Sequence, residues 1–244
     1  RQMSVSTAGA FAPLEVETGR RGGARSLSSG NPWAVVQRGL IAARSSSLVV
    51  VLSGFFEPVF YLASMGIGLG ALIGSIATPA GDVPYAAYIA PALLAVSAMN
   101  GAVYDSTWNV FFKLNYGKLY EGMLSTSLGP LDVALGEILY ALLRGLAYAT
   151  GFLIIMQFAG LNLSWTAILA LPAVVLIAFG FASIGMAITS YMKAFQHMDW
   201  INFVLLPMFL FSSTFYPITV YPEWVQALVM ALPLWHGVEL IRGL

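Results

Sequence analysis

Long apolar runs alternate with short polar links along most of this chain. A helix needs about 20 mostly apolar residues to cross the hydrocarbon core of a bilayer, and five runs approach or exceed that length. The pattern therefore predicts an all-α, polytopic membrane protein whose transmembrane domain covers residues 31–244. The predicted spans are residues 48–76, 85–108, 131–158, 166–191 and 200–216.

The first 30 residues differ from the rest because they contain no apolar run. They are rich in Ser, Gly and Ala, and Arg20, Arg21 and Arg25 lie close together. A secretory signal would need an apolar core. Residues 1–30 are therefore predicted to form a flexible tail on the cytoplasmic side of the membrane.

A short amphipathic segment follows this tail. Pro32 is suited to the first position of a helix, and Trp33, Val36 and Leu40 then recur on one face. This arrangement predicts a helix that lies in the membrane interface with its Trp at headgroup depth. A cytoplasmic extension of the first span is the alternative.

The basic residues predict the orientation of the spans. Lys and Arg are enriched in cytoplasmic loops, and here they lie in the N-terminal tail, at Lys113 and Lys118, and at Lys193. The N-terminus is therefore predicted to be cytoplasmic, in the plasma (inner) membrane. The links without Lys or Arg, which are predicted to lie outside, are residues 77–84, 159–165 and 217–236.

The composition narrows the possible functions. Only 9% of residues are charged and 59% are hydrophobic, whereas soluble domains carry about 25% charge. A formal net charge of zero indicates no nucleic-acid partner, and the absence of Cys excludes disulfides and thiol nucleophiles. The sequence has no HExxH, GxSxG or phosphate-binding GxxxxGK[ST] motif. A transporter is favoured, with a secondary transporter or a polytopic membrane enzyme as alternatives.

The last 35 residues carry the most specific pattern. They contain F-S-x-T-F-Y-P at residues 211–217, P-x-W at 222–224 and P-L-x-H-x-V-E-L-I-R-G at 233–243. This order resembles the end of ABC type-2 exporter permeases, especially the branch of nodulation-factor (lipo-oligosaccharide) exporters and drug-export permeases. Ser213 stands where that family often has Gly.

The resemblance implies a function and a set of partners. The chain would be the permease subunit of an ATP-driven ABC exporter and would not itself be an enzyme. It would act with a second permease copy or paralogue and with two cytoplasmic ATPase chains. ATP and Mg²⁺ would bind to those ATPase chains, and no cofactor or metal to this one. The implied substrate is amphiphilic: a lipo-oligosaccharide, a glycolipid or a hydrophobic drug, as in multidrug efflux.

The longest predicted cytoplasmic link, residues 109–131, is the candidate for contact with the ATPase. Residues 120–132, Y-E-G-M-L-S-T-S-L-G-P-L-D, are similar to the family's cytoplasmic coupling segment, although Ser127 stands where the family often has Pro. A plain solvated loop is the alternative. The residues expected to couple to the ATPase are Tyr120, Glu121, Gly122, Met123 and Leu124.

Charged residues within spans are costly and face protein or water. Glu57, Glu137 and Arg144 lie inside predicted spans. One interpretation is a structural ion pair between Glu57 and Arg144. The other is a polar patch on the translocation path that meets a substrate headgroup. Asp105 and Asp199, near span ends, are predicted to be interfacial.

The end of the chain predicts an external hairpin that acts as a gate. Residues 217–236 are expected to stay at the outer face, because their amphipathic run at residues 222–232 is too short to cross the membrane. The resemblance then calls for a sixth span, so the sequence is expected to lack its last 20 to 30 residues. The candidate gate residues are Phe215, Pro217, Trp224, His236, Glu239 and Arg242.

Overall fold

The computed structural model describes residues 30–44, 48–78, 81–161 and 165–244, so the predicted tail at 1–29 lies outside the described residues. The described part is helical except for one short hairpin of strands and the connecting turns. The prediction of an all-α, multi-pass membrane protein is confirmed. The helical runs that are long and apolar enough to cross a membrane are Phe56–Ile73, Tyr85–Tyr116, Pro130–Phe158 and Ala167–Tyr191.

Helix α1 (Pro32–Arg44) packs along another helix, α6 (Pro130–Phe158). Its buried face carries Val35, Val36 and Gly39. A Cβ atom built on Gly136 of α6 would lie 2.5 Å from the Val35 Cβ, so the two backbones approach closely at that glycine. Trp33 and Leu40 are exposed, whereas Val36 is buried. The three residues predicted to share one apolar face therefore do not all pack against the protein.

The first predicted span begins with α2 (Leu48–Ala63) and continues through a π-helical turn, Ser64–Leu69, into α3 (Gly70–Ile73). The link after it is not simply polar coil. Strand β1 (Ser75–Thr78) pairs antiparallel with β2 (Gly81–Pro84), which the sequence pattern did not predict.

The second predicted span is longer than expected. Helix α4 (Tyr85–Tyr104) continues through π-helical turns at Asp105–Asn109 and Phe112–Tyr116, and we call residues 105–116 the α4 extension. The run of 32 residues is about 48 Å long at 1.5 Å per residue. This exceeds the ~30 Å hydrocarbon core, so the first part of the predicted 109–131 link is helix rather than loop.

The middle of the chain follows the predicted order. A short helix, α5 (Leu119–Leu124), leads into α6, whose start at Pro130 agrees with the predicted start of the third span at residue 131. The Gly129 amide donates a hydrogen bond to Asp132 Oδ2 (2.9 Å) at this helix start. Helix α7 (Ala170–Tyr191) follows a 3₁₀ turn, Trp165–Leu169.

The fifth predicted span is only partly helical. Helix α8 (Met198–Phe211) ends six residues before Pro217, and residues 212–216 continue as irregular chain. Its 14 residues rise about 21 Å, less than the ~30 Å core thickness. The Ser212 hydroxyl donates a hydrogen bond to the Met208 carbonyl, which caps the end of α8.

The hairpin that was predicted to be external consists of α9 (Glu223–Met230) and α10 (Pro233–Arg242), which are bent by 87° at the break between them. Together they have the length and composition of one further, broken span. Helix α10 does not lie free at a surface. Leu234 and Val238 are fully buried, and α10 packs against α4 and α7.

Helix α4 lies at the centre of the fold. It contacts α2, α6, α7 and α10, and most of its side chains from Tyr85 to Val103 are buried. A second, smaller cluster of Val35, Val110, Tyr120, Met123 and Val133 joins α1, the α4 extension, α5 and α6. This cluster lies at the end of the bundle where the predicted cytoplasmic link begins.

Candidate functional site

Arg144 of α6 forms a partly buried ion pair with Asp105 of the α4 extension. Its Nη1 lies 2.7 Å from Asp105 Oδ1, and its Nε donates to the Tyr148 hydroxyl at 2.9 Å. The Asp105 side chain is 9% exposed. A buried carboxylate and guanidinium in this arrangement satisfy each other's charge, so Asp105 holds Arg144 in place beside α4.

This geometry corrects two predictions. The ion pair predicted between Glu57 and Arg144 is wrong, because Arg144 is bonded to Asp105 and no hydrogen bond or ion pair joins Glu57 to the described residues. Asp105 was predicted to be interfacial, and it is buried between helices instead. The sequence could not reveal the true pair, because 39 residues and a change of helix separate Asp105 from Arg144.

Glu137, the third member of the predicted polar patch, has a different partner. Its Oε2 accepts a hydrogen bond from Lys113 Nζ at 2.6 Å, and the Glu137 side chain is 5% exposed. Lys113 lies on the π-helical part of the α4 extension. The predicted patch is thus divided into two ion pairs, both of which join α6 to α4 or its extension.

Glu57 and Arg144 nevertheless line one cavity, of about 320 Å³. Helix α2 contributes Glu57, α4 contributes Asn100 and Tyr104, and α6 contributes Arg144 and Tyr148. An apolar crevice of about 20 Å³ adjoins it, also lined by Glu57 and Asn100, and extends towards Phe209 of α8. Two members of the predicted patch, Glu57 and Arg144, therefore share a cavity, whereas Glu137 lies outside its lining.

Helix α5 contains the residues predicted to couple to an ATPase. Tyr120 and Met123 are buried, whereas Glu121 and Gly122 are exposed and Leu124 is half-buried. A Cβ atom built on Gly122 would meet nothing within 4 Å. The helix thus has one face packed on the smaller cluster and one face open to a partner.

Tyr120 of this helix lies close to Glu137 of α6. Burial raises the pKa of the Tyr120 phenol, and the nearby Glu137 carboxylate raises it further. The Tyr120 hydroxyl and Glu137 Oε1 are both buried, and neither has the geometry of a hydrogen bond with any described residue. The phenol is therefore neutral at physiological pH and lies close to a carboxylate that already binds Lys113.

At the other end of the bundle, Arg242 joins α10 to the chain that follows α8. Its Nη1 lies 2.5 Å from Glu239 Oε1, and its Nη2 donates to the Ser213 carbonyl at 2.9 Å. The guanidinium carbon lies 4.1 Å from the centre of the Tyr88 ring, a cation–π distance. Glu239 and Arg242, two of the candidate gate residues, therefore form an ion pair, and Arg242 braces the irregular segment after α8.

The remaining candidate gate residues do not form one site with this pair. Phe215 is buried and packs edge-on against Phe209, with 5.2 Å between ring centres. Trp224 is 70% exposed on α9, and His236 is exposed on α10, where it contacts Trp235. These side chains are distributed along the hairpin rather than brought together.

Comparison with known proteins decides the family of this chain. The profile of a family described as "ABC-2 type transporter" matches residues 32–244. The chain belongs to the ABC-2 type transporter family. It is therefore the membrane-spanning part of a transporter rather than an enzyme, and the alternatives of a secondary transporter and a membrane enzyme are excluded.

Individual relatives agree with this ABC-2 assignment. The chain is 32% identical to Nodulation protein J of Sinorhizobium fredii over 217 residues, which are 87% of this chain and 81% of the relative. It is 30% identical to Nodulation protein J of Rhizobium leguminosarum bv. viciae over 218 residues, which are 88% and 82% of the two chains. The similarity therefore extends over nearly all of the transmembrane domain.

One departure from the ABC-2 pattern has a clear conformational consequence. Ser213, which stands where the family often has Gly, has a φ of +57°. Glycine adopts this left-handed region without a steric penalty, whereas a residue with a Cβ is strained there by roughly 1–2 kcal/mol. The hydrogen bond from Arg242 to the Ser213 carbonyl helps to hold this turn despite the strain.

Proposed function

We propose that this chain is the permease subunit of an ATP-driven exporter, and that α5 receives movement from a separate ATPase subunit. The observation that carries the proposal is the two-sided character of α5. One face of the helix, with Tyr120 and Met123, is buried against the rest of the protein. The opposite face, with Glu121 and Gly122, is exposed. A helix that must transmit force needs both a free contact surface and a rigid attachment.

The attachment extends from α5 into the bundle. The smaller hydrophobic cluster joins α5 to α1, α6 and the α4 extension, and the Lys113–Glu137 ion pair joins the extension to α6. A push on α5 would therefore move these helices together, since packed elements shift as units rather than deform. Asp105 belongs to the same α4 extension and Arg144 to the same helix α6, so the movement would reach the polar cavity.

The orientation supports export powered from the cytoplasm. In the proposed arrangement α1, α5 and the link at 192–199 face the cytoplasm, because they carry or adjoin the basic residues. The hairpin of strands and the α9–α10 hairpin face outwards. The proposed location is the plasma (inner) membrane with a cytoplasmic N-terminus.

The proposed assembly contains two permeases and two ATPases, with ATP and Mg²⁺ on the ATPases. Apolar side chains of α8, including Trp200, Phe203 and Leu206, are exposed and would meet lipid or the second permease. The proposed substrate is amphiphilic, a lipo-oligosaccharide, a glycolipid or a hydrophobic drug. The motifs at residues 211–217 and 233–243, which resemble those of such exporters, support this substrate class.

Substitutions on the open face of α5 are expected to uncouple transport. Glu121→Arg and Gly122→Trp should leave the permease folded, because both positions are exposed, and should leave ATP hydrolysis by the assembled complex in place. Substrate transport should fall to background. Transport and ATPase activity would be measured on the same reconstituted vesicles.

Two positions provide matched controls for these substitutions. Glu223 on α9 is an exposed glutamate, and Gly68 has no atom within 4 Å of a Cβ built on it. Glu223→Arg and Gly68→Trp should transport normally. Normal transport by Glu121→Arg and Gly122→Trp would place the coupling role elsewhere in the chain.

The orientation can be tested with single cysteines, because the chain has none. An impermeant thiol reagent should label Glu223→Cys in intact cells and Lys118→Cys only after the membrane is permeabilised. Both native side chains are exposed, so accessibility would report sidedness rather than burial. Labelling of Lys118→Cys from outside intact cells would contradict the proposed orientation.

A further inference from the structure

The chain between the end of α8 and Pro217 has few hydrogen bonds, and we call residues 212–216 the post-α8 turn. Ser213 and Thr214 are at most 1% exposed, yet neither hydroxyl has a hydrogen-bond partner among the described residues. The amides of residues 213–216 also donate no hydrogen bond to the described part of the chain. Buried polar groups without partners cost free energy, and the positive φ of Ser213 adds strain. The turn is therefore held in a conformation that its own residues disfavour.

A continuation of α8 through this turn would remove each of these costs. In a helix, every amide of the turn would donate to the carbonyl four residues earlier, and Ser213 would return to a negative φ. Ser and Thr hydroxyls in helices can also donate to the carbonyl four residues earlier. Thr150 and Ser183 do so in α6 and α7, at 2.7 Å in both cases. The two buried hydroxyls of the turn would gain acceptors of the same kind.

The length of α8 favours the same continuation. Its 14 residues rise about 21 Å, and the five residues of the turn would lengthen it to about 28 Å. This approaches the ~30 Å thickness of the hydrocarbon core. Pro217 would then end the helix, because proline disfavours the helical conformation of the residue before it. The sequence thus defines a second conformation in which α8 continues to Tyr216.

Arg242 of α10 holds the turn in its present conformation. Its Nη2 donates to the Ser213 carbonyl at 2.9 Å, which fixes the orientation of the strained peptide. The guanidinium is itself fixed by Glu239, at 2.5 Å, and by the Tyr88 ring, whose centre lies 4.1 Å away. Helix α4, helix α10 and the post-α8 turn therefore meet at this one side chain.

We propose that the post-α8 turn has two conformations and that Arg242 is the positioning residue that selects the present one. When Arg242 releases the Ser213 carbonyl, α8 continues as a helix to Tyr216. This change breaks the contact of Phe215 with Phe209 and shifts the start of the α9–α10 hairpin relative to α8. It therefore loosens the packing at the end of the bundle opposite α5. The inference concerns the permease alone and needs neither an ATPase nor a substrate.

Hydrogen exchange at a single amide distinguishes the two conformations. Phe is followed by Tyr only at residues 60–61 and 215–216. A permease with ¹³C-carbonyl Phe and ¹⁵N-Tyr therefore shows only the Tyr61 and Tyr216 amides in a carbonyl-filtered NMR spectrum. Tyr61 lies within α2 and is the helical reference. Both tyrosines are at least 36% exposed, so burial does not separate them. The sample is the purified permease in micelles, without ATPase or ATP.

In the wild type, the Tyr216 amide should exchange at least about tenfold faster than the Tyr61 amide, because it has no hydrogen-bond acceptor in the turn. Arg242→Met removes the donor that holds the turn. It should slow exchange at Tyr216 at least about fivefold, since this amide then donates to the Ser212 carbonyl and the strain of the turn is relieved. A merely structural role of Arg242 would accelerate the exchange. Arg44→Met, at an exposed position of α1, should keep the wild-type rate.

Two substitutions of Ser213 test the conformational cause directly. Ser213→Gly combined with Arg242→Met removes the strain of the turn and weakens the competing helix, so it should restore the fast exchange of the Tyr216 amide. Ser213→Thr keeps the hydroxyl but places a β-branched residue at a positive φ. It should therefore slow the exchange by itself.

Several outcomes would overturn the inference. They are a wild-type Tyr216 amide as protected as that of Tyr61, exchange that is unchanged or faster in Arg242→Met, and the absence of rescue by Ser213→Gly. If Arg242→Met does not fold, exchange in Ser213→Thr decides: slower exchange supports the two conformations, and unchanged or faster exchange rejects them. The proposed function is tested separately at α5, so a negative result here leaves it intact.

Discussion

Asp105→Asn is expected to be among the most destabilising single substitutions within the helices. It leaves the Arg144 guanidinium without its carboxylate, and breaking one side of a buried pair costs about 3–5 kcal/mol. Asp105 Oδ1 accepts a hydrogen bond from Arg144 at 2.7 Å, and the Asp105 side chain is nearly fully buried. Unfolding would be followed for the purified permease by denaturant titration in mixed micelles.

Glu57→Gln provides the control for this substitution, because Glu57 lines the same cavity and has no ion-pair partner among the described residues. Its stability should stay close to that of the wild type. The double substitution Asp105→Leu with Arg144→Met should recover most of the loss, because it removes both charges together. Equal destabilisation by Asp105→Asn and Glu57→Gln would show that Arg144 is shared between the two carboxylates.

Gly185→Ala is the second substitution expected to have a large effect. A Cβ built on Gly185 of α7 would lie 2.1 Å from Ser106 Oγ and 3.2 Å from both the Ser106 Cβ and the Thr107 Cγ2. The Ser106 hydroxyl would have to leave its present rotamer and the α4 extension would have to shift slightly away from α7, and overpacking of this kind costs about 1–3 kcal/mol. Thermal unfolding of the purified permease would measure the change.

The same helix contains a matched control. Gly180 of α7 has nothing within 4 Å of a Cβ built on it, so Gly180→Ala should be neutral or slightly stabilising. Adding Ser106→Ala to Gly185→Ala removes the atom that makes the closest contact and should recover part of the stability. A Gly185→Ala protein as stable as Gly180→Ala would refute the close approach of α7 to the extension.

This contact also explains how the π-helical turn at Asp105–Asn109 is held. The Thr189 hydroxyl lies 3.2 Å from the Ser106 carbonyl and 2.8 Å from the Gly185 carbonyl. A π-helical turn departs from the regular α-helical hydrogen-bond ladder, and Thr189 gives the Ser106 carbonyl a partner from a neighbouring helix. Asp105 lies at the start of this turn, so α7 helps to set the position of the Arg144 ion pair.

The sequence alone was sufficient for the class of the protein and its family. Long apolar runs must be helices in a bilayer, because every backbone polar group needs an internal partner there. The class therefore follows from local pattern. The order of the motifs in residues 211–243 likewise indicated a resemblance to ABC type-2 permeases, and the match to the ABC-2 family profile confirmed it. The start of α6 at Pro130 and the ion pair of Glu239 with Arg242 are local features, and both were predictable for that reason.

The tertiary structure decided the features that depend on which helices are neighbours. The partner of Arg144 is Asp105 rather than Glu57, because α4 lies beside α6 at that level and sequence spacing carries no information about distant helices. The early end of α8 and the path of α10 between α4 and α7 were decided in the same way. Hydrophobicity shows that a segment avoids water, but lipid and a protein neighbour are equally apolar. Only packing distinguishes the two, and packing is what creates the polar cavity.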